Sequence, residues 1–92
     1  MGIIDKTRFE RRGGRGCSNS DYALRITTCC ASHCVEDDEL HDLYLDPLDL
    51  DRTHQLYVDA PCPFCGNVEW NLLDVSAVDL VPENWLWATL DR

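Results

Sequence analysis

Long uncharged stretches are missing from these 92 residues; the longest are too short for a membrane span or the apolar core of an export signal. Twin Arg11–Arg12 has no apolar region behind it, and Lys6 occupies the position at which N-myristoylation wants Ser or Thr. Basic residues are scarce as well. Eight Lys and Arg face seventeen Asp and Glu, a formal net charge of −9. Five of those eight (Lys6, Arg8, Arg11, Arg12 and Arg15) fall within residues 1–16, so the rest of the chain is more acidic than the total suggests. Such a body repels nucleic acid, whose binding depends largely on neutralised phosphates; only the basic stretch leaves that partner open. The acidity implies solubility and a basic protein partner. With no secretion signal or internal repeat in view, a single small cytoplasmic domain is expected, where thiols stay reduced unless a metal takes them.

What the chain does have is six cysteines and three tryptophans. A domain this short buries only about 60–65% of its surface, so a metal, disulfides or a partner should supplement its core. Residues 1–20, polar, basic and glycine-rich, are expected to form a flexible arm. Its "GGRG" has the composition of arginine–glycine RNA-binding tails, in one copy. The rest, 21–92, is expected to fold as one unit with an acidic insertion at 35–53.

Within that unit, Tyr22, Leu24 and Ile26 alternate as a half-buried strand does. A second strand is expected at 54–60 and a third at 67–75. Between the first two, Glu36, Asp37, Asp38 and Glu39 precede Leu40, Leu43 and Tyr44, which predicts the start of a short helix ended by Pro47. A last helical turn is expected from Pro82, with Trp85, Leu86 and Leu90 on its apolar side.

Two cysteine-bearing pieces carry the chemistry. "PCPFCG" holds Cys62 and Cys65 in a C-x2-C turn, where two thiolates can address one ion while Gly66 supplies the unusual backbone angle. "TTCCASHC" offers Cys29, Cys30, His33 and Cys34, and 27 residues separate Cys34 from Cys62. Adjacent cysteines on a strand point apart, so one of Cys29 and Cys30 is expected to bind. Strand parity favours Cys30, on the face of Leu24 and Ile26. Thiolate richness favours Cys34 as its companion, while C-x2-H spacing keeps His33 open, and Cys29 with Cys34 is an allowed third pair. The expected ligand set is therefore Cys30, Cys34, Cys62 and Cys65 around one Zn2+, with iron as the alternative.

"CPFCG" between strands resembles the second knuckle of zinc ribbons and rubredoxins, across roughly residues 22–75; the first piece departs from the C-x2-C-G pattern of that family. The resemblance implies a small, mostly β, metal-stabilised fold: three short antiparallel strands, two knuckles, an acidic connector and a short C-terminal helical turn. It implies binding rather than catalysis, since structural zinc performs no redox chemistry, and many zinc ribbons serve in transcription or nucleic-acid machinery. Docking is expected through the acidic stretch 36–51 and an apolar patch of Leu45, Leu48, Trp85 and Trp87. A rubredoxin-like electron carrier is one alternative. A dithiol oxidoreductase is another, because "CPFC" also occurs in glutaredoxins; there the motif opens a helix near the start of the chain, whereas "GNVEWNLL" reads as a strand. His41 and His54 have no nucleophile placed beside them, and the aspartates at 46, 49 and 51 lack the spacing and closing Glu of a calcium loop. No catalytic residue or small-molecule substrate is nominated.

Overall fold

The structure, a computed structural model, describes residues 4–55, 60–75 and 82–89. Its centre is a five-stranded antiparallel sheet: β1 (Tyr22–Thr27), β2 (His33–Asp37), β3 (Asp42–Asp46), β4 (Asp49–Gln55) and β5 (Leu72–Asp74). The strand order is β4-β3-β2-β1-β5, a four-strand meander whose first strand also receives the last. A short helix, α1 (Lys6–Arg11), precedes the sheet, and a 3-10 helix (Glu83–Ala88) follows it.

The stretch expected to be an acidic connector with a short helix is instead part of the sheet. Asp37 performs the local chemistry that suggested a helix start: its Oδ1 accepts the Glu39 N–H (2.9 Å) and the Leu40 N–H (3.2 Å). The turn goes no further, because His41 adopts the left-handed conformation (φ 58°) and the chain reverses into β3. Four-residue hairpin loops of this kind are commonly built around a type I turn. At the next reversal Pro47 takes a turn position that suits its fixed φ, and Asp46 Oδ1 accepts the Leu48 N–H at 2.9 Å. The overlooked strand signal is the alternation around Leu50, buried between exposed Asp49 and Asp51. Of the other expectations, β1 coincides with the predicted first strand, and β5 occupies the end of the third. The second overlaps β4 at His54 and Gln55, with residues 56–59 outside the described set.

One face of the sheet is lined by Tyr22, Leu24, Val35, Tyr44 and Leu50, with Leu24 opposite Val35 and Val35 opposite Tyr44. The two terminal segments cover it. Phe9 of α1 is completely buried, its ring 4.6 Å from Tyr22 and 4.9 Å from Tyr44 by centroid, with Trp87 stacked at 6.0 Å. Trp85 of the 3-10 helix is also in this core, so it contributes nothing to the expected apolar surface patch. The termini are joined to each other by a bridge between Ile4 and Thr89 and by the Asp5 N–H donating to the Ala88 carbonyl (2.8 Å).

The residues expected to be a flexible arm are thus a packed lid. Several of its basic side chains have intramolecular partners: Lys6 Nζ donates to the Ser18 carbonyl (2.9 Å), Arg12 lies over the Trp87 ring (4.8 Å) and Arg15 pairs with Asp51 (2.9 Å). The "GGRG" glycines answer to packing. A β-carbon on Gly14 would collide with the Phe9 ring, and one on Gly16 with the Tyr22 hydroxyl and Ser20. That close approach lets the Tyr44 and Tyr22 hydroxyls accept the Arg15 N–H (2.8 Å) and Gly16 N–H (2.7 Å), while Tyr22 donates to Glu10 (2.7 Å).

The opposite face alternates with the first. Arg25 sits between two carboxylates, 2.9 Å from Glu36 on β2 and 3.4 Å from Asp74 on β5. Cys34 and Leu43, both fully buried, share this face, and the segment before β5 reaches it through Trp70, whose ring meets His54 at 6.5 Å.

Replacing Phe9 by Ala removes the shared ring of this core and should cost about 3–5 kcal/mol, read as a shift in the urea midpoint. Gly16→Ala should also destabilise, through the displaced tyrosine hydroxyl. A neutral Phe9→Ala result would mean that α1 is detached in solution.

Candidate metal centre

Two loops and one strand pairing build the site. β1 ends at Thr27, and residues 28–32 form the loop to β2. The loop is closed by the Ala31 N–H donating to the Thr27 carbonyl (3.0 Å) and by the Thr27 N–H donating to the Ser32 carbonyl (2.9 Å). Ala31 takes the left-handed position (φ 54°), as His41 does in the following hairpin. The Thr27 hydroxyl accepts the Ser32 N–H at 2.9 Å, which anchors the loop to the strand end.

The second loop is the C-x2-C turn. The Gly66 N–H donates to the Cys62 carbonyl (2.8 Å), and the Cys62 N–H to the Asn67 carbonyl (2.9 Å). Gly66 has φ 78° and open space around its α-carbon, so conformation rather than room calls for glycine there. Trp70 Nε1 donates to the Ala60 carbonyl (2.8 Å), holding together the two ends of the segment that carries the turn.

The loops meet because β5 pairs with β1. The ladder Thr27↔Leu72 continues one step outward: the Thr28 N–H donates to the Asn71 carbonyl (3.0 Å), and the Asn71 N–H to Thr28 Oγ1 (2.9 Å). The segment after Cys65 is thereby tied beside the residue before Cys29.

The result is a group of four sulfurs, from Cys29, Cys30, Cys62 and Cys65, all within 4.8 Å of one another. Cys65 lies 3.3 Å from Cys29, and Cys30 lies 3.9 Å from both Cys29 and Cys62. Four thiolates at Zn–S distances of ~2.3 Å in a tetrahedron are about 3.8 Å apart, so the observed spacings surround the value that an ion needs. Four thiols arranged this way can hold one metal ion.

Three of the four expected ligands are in this group; Cys34 is not. It lies within β2 opposite Arg25, fully buried, and desolvation pushes its thiol up to about 12, with the negative charge of Glu36 adding to the effect. His33, opposite Ile26 on β2, is also outside the group. Cys29 takes the fourth place. The alternation that made adjacent cysteines incompatible belongs to strands, and β1 has already ended. In a helix-like turn, successive side chains diverge by about 100° rather than 180°, and both sulfurs can turn toward one point.

The thiols differ in character. The Thr27 and Ser32 hydroxyls each lie 3.2 Å from Cys30 Sγ. Hydrogen bonds from Ser32 and then Thr27 draw the Cys30 thiol down to about 6, against the opposing effect of burial. Cys29 moves the other way, up to about 12, through lost hydration and then through hydrogen bonding with Cys65, Cys62 and Cys30. Without metal, the cluster concentrates negative charge on Cys30 and keeps a proton on Cys29. A cation among the four sulfurs replaces such protons.

No protein-family model matches the chain, and neither a curated protein nor a solved structure matches it.

Metal binding should weaken as pH falls, because bound thiols must be deprotonated and protonation of Cys30 near pH 6 removes the one sulfur already favoured as an anion. Competition with a colorimetric chelator between pH 5 and 8 reads this directly. In the same assay Cys29→Ser should lower affinity by at least tenfold, whereas Cys34→Ala and His33→Ala should keep one metal per chain.

Proposed function

We propose that the chain is a zinc-stabilised, non-catalytic binding module that docks on a basic protein partner. The carrying observation is the four-sulfur group, which could fill all four positions of a tetrahedral ion, as closed structural zinc sites do. All-sulfur tetrahedral sites suit zinc or iron. Zinc fits a structural role, since its binding free energy is also folding free energy. It would join the β1–β2 hairpin to the segment that enters β5, a three-residue strand too short to hold that segment alone.

The docking half of the proposal rests on charge and exposure. Exposed Leu48, with 86% of its surface accessible, stands at the β3–β4 turn between Asp46 and Asp49, and the neighbouring edge strand adds exposed Asp51. An apolar residue rimmed by carboxylates suits a basic partner with an apolar contact at its centre. The structural use of Lys6, Arg12 and Arg15 within the fold weighs against the basic stretch as a nucleic-acid tail.

Protein purified without chelators should contain about one zinc per chain and show no visible absorption band, by elemental analysis and spectroscopy on one sample. A reversible coloured iron form would instead support electron transfer, and a metal-free folded protein would leave only thiol chemistry for Cys62 and Cys65. Chelation should lower the melting temperature by well over 10 °C, because structural zinc contributes apparent free energies comparable to the whole stability of a small domain.

A further inference from the structure

The four sulfurs are not equally open to oxidation. Cys62 is 2% exposed, and Cys30, although exposed, has its sulfur engaged by two hydroxyls at 3.2 Å, whose hydrogen bonds make a metal-bound thiolate less nucleophilic. Cys65 is exposed, and its nearest recorded sulfur belongs to Cys29, at 3.3 Å, on the other loop. The Cys62–Cys65 pair, adjacent in the C-x2-C turn, is therefore not the favoured redox couple here.

We infer that the centre is a peroxide-sensitive switch in which Cys29 and Cys65 form a disulfide across the two loops and release the metal. This rests on the zinc reading of the four-sulfur group. A hydroperoxide is the oxidant. The Cys65 sulfur attacks its terminal oxygen, the O–O bond breaks, and Cys65 becomes a sulfenic acid while the other oxygen leaves as water or alcohol. The Cys29 sulfur then attacks the sulfenic sulfur, and the S–O bond breaks with loss of water. Two electrons pass from the two sulfurs to the peroxide. Zn2+ loses two of its four ligands and dissociates from Cys30 and Cys62.

The particular pairing has a structural consequence. A Cys62–Cys65 bond would lie within one turn and would free the two loops from each other when the ion leaves. A Cys29–Cys65 bond replaces the ion as the link between them, so the end of the sheet stays closed. The Ser32 and Thr27 hydroxyls act as positioning residues that hold Cys30 out of the oxidation. Peroxide thus exchanges a metal link for a covalent one without unfolding the domain, and changes the exposed surface at the loops.

The zinc-loaded full chain, its metal content measured first, is treated with one equivalent of hydrogen peroxide. A chelating dye follows zinc release, and tandem mass spectrometry of non-reduced peptides locates the disulfide. One zinc should leave per disulfide formed, Cys29–Cys65 should be the main species, and the oxidised metal-free protein should melt above the chelated, reduced protein. Ser32→Ala should keep its zinc yet raise the share of disulfides containing Cys30 several-fold. A dominant Cys62–Cys65 bond, peroxide consumption without zinc release, or an unchanged disulfide pattern in Ser32→Ala would each overturn the switch while leaving the zinc site standing. Protein that contains no zinc at the outset would overturn the site and the switch together.

Discussion

A sheet of five short strands has one apolar face that must be covered, and Phe9 is the residue on which that cover depends. It comes from a six-residue helix that could not persist alone. Its ring contacts tyrosines on β1 and β3 and stacks with Trp87 from the far end of the chain. Two terminal segments, neither stable by itself, become one layer because they share that ring and the backbone bond from Asp5 to Ala88. The glycines at 14 and 16 then follow from the approach of the backbone to the same aromatic cluster, where the tyrosine hydroxyls satisfy amides that would otherwise be lost to water.

The cysteine group is the counterpart at the end of the sheet where β1 turns into β2. Its geometry depends on β5 pairing with β1, and β5 offers only three residues to that pairing. Thr28 and Asn71 extend the ladder by one reciprocal step, which brings the C-x2-C segment beside the Cys29–Cys30 loop. Arg25, bonded to Glu36 on one side and Asp74 on the other, reinforces the same three strands on the opposite face. Aromatic packing therefore closes one face, while hydrogen bonds and the sulfur group secure the end of the sheet. Different chemistry at the two places is consistent with a domain too small to close both with apolar residues.

Charge is divided by use. Lys6, Arg12 and Arg15 serve as fasteners to carbonyls, a tryptophan face and a carboxylate. Many of the acids instead sit on turns and on the β4 edge. Placing charge along an exposed edge also blocks the unwanted addition of further strands. Asp37 is the exception among the described acids: fully buried, it accepts from the Ser20 hydroxyl (3.1 Å) and from the amides of its own turn, and so shapes the β2–β3 reversal.

Local physics determined what the sequence alone could determine. The C-x2-C-G turn was legible because its backbone bonds close within five residues, and β1 because alternation is a property of consecutive positions. Pro82 marked the start of the last helical segment for the same reason. The strands at 33–55 were hidden by acids whose local preference, capping a turn, is the same in a hairpin as at a helix start. Phe9 gave no sign of burial, since its neighbours are polar and its partners lie on β1, β3 and the far end of the chain. The choice of Cys29 over Cys34 was equally out of reach, because it turns on where β1 stops. Strand parity assumes extended chain as far as Cys30, but β1 stops at Thr27, and the chain enters a turn in which adjacent sulfurs converge and the next cysteine is carried away into the sheet. Only the tertiary pairing of β5 with β1 set that turn against Cys62 and Cys65.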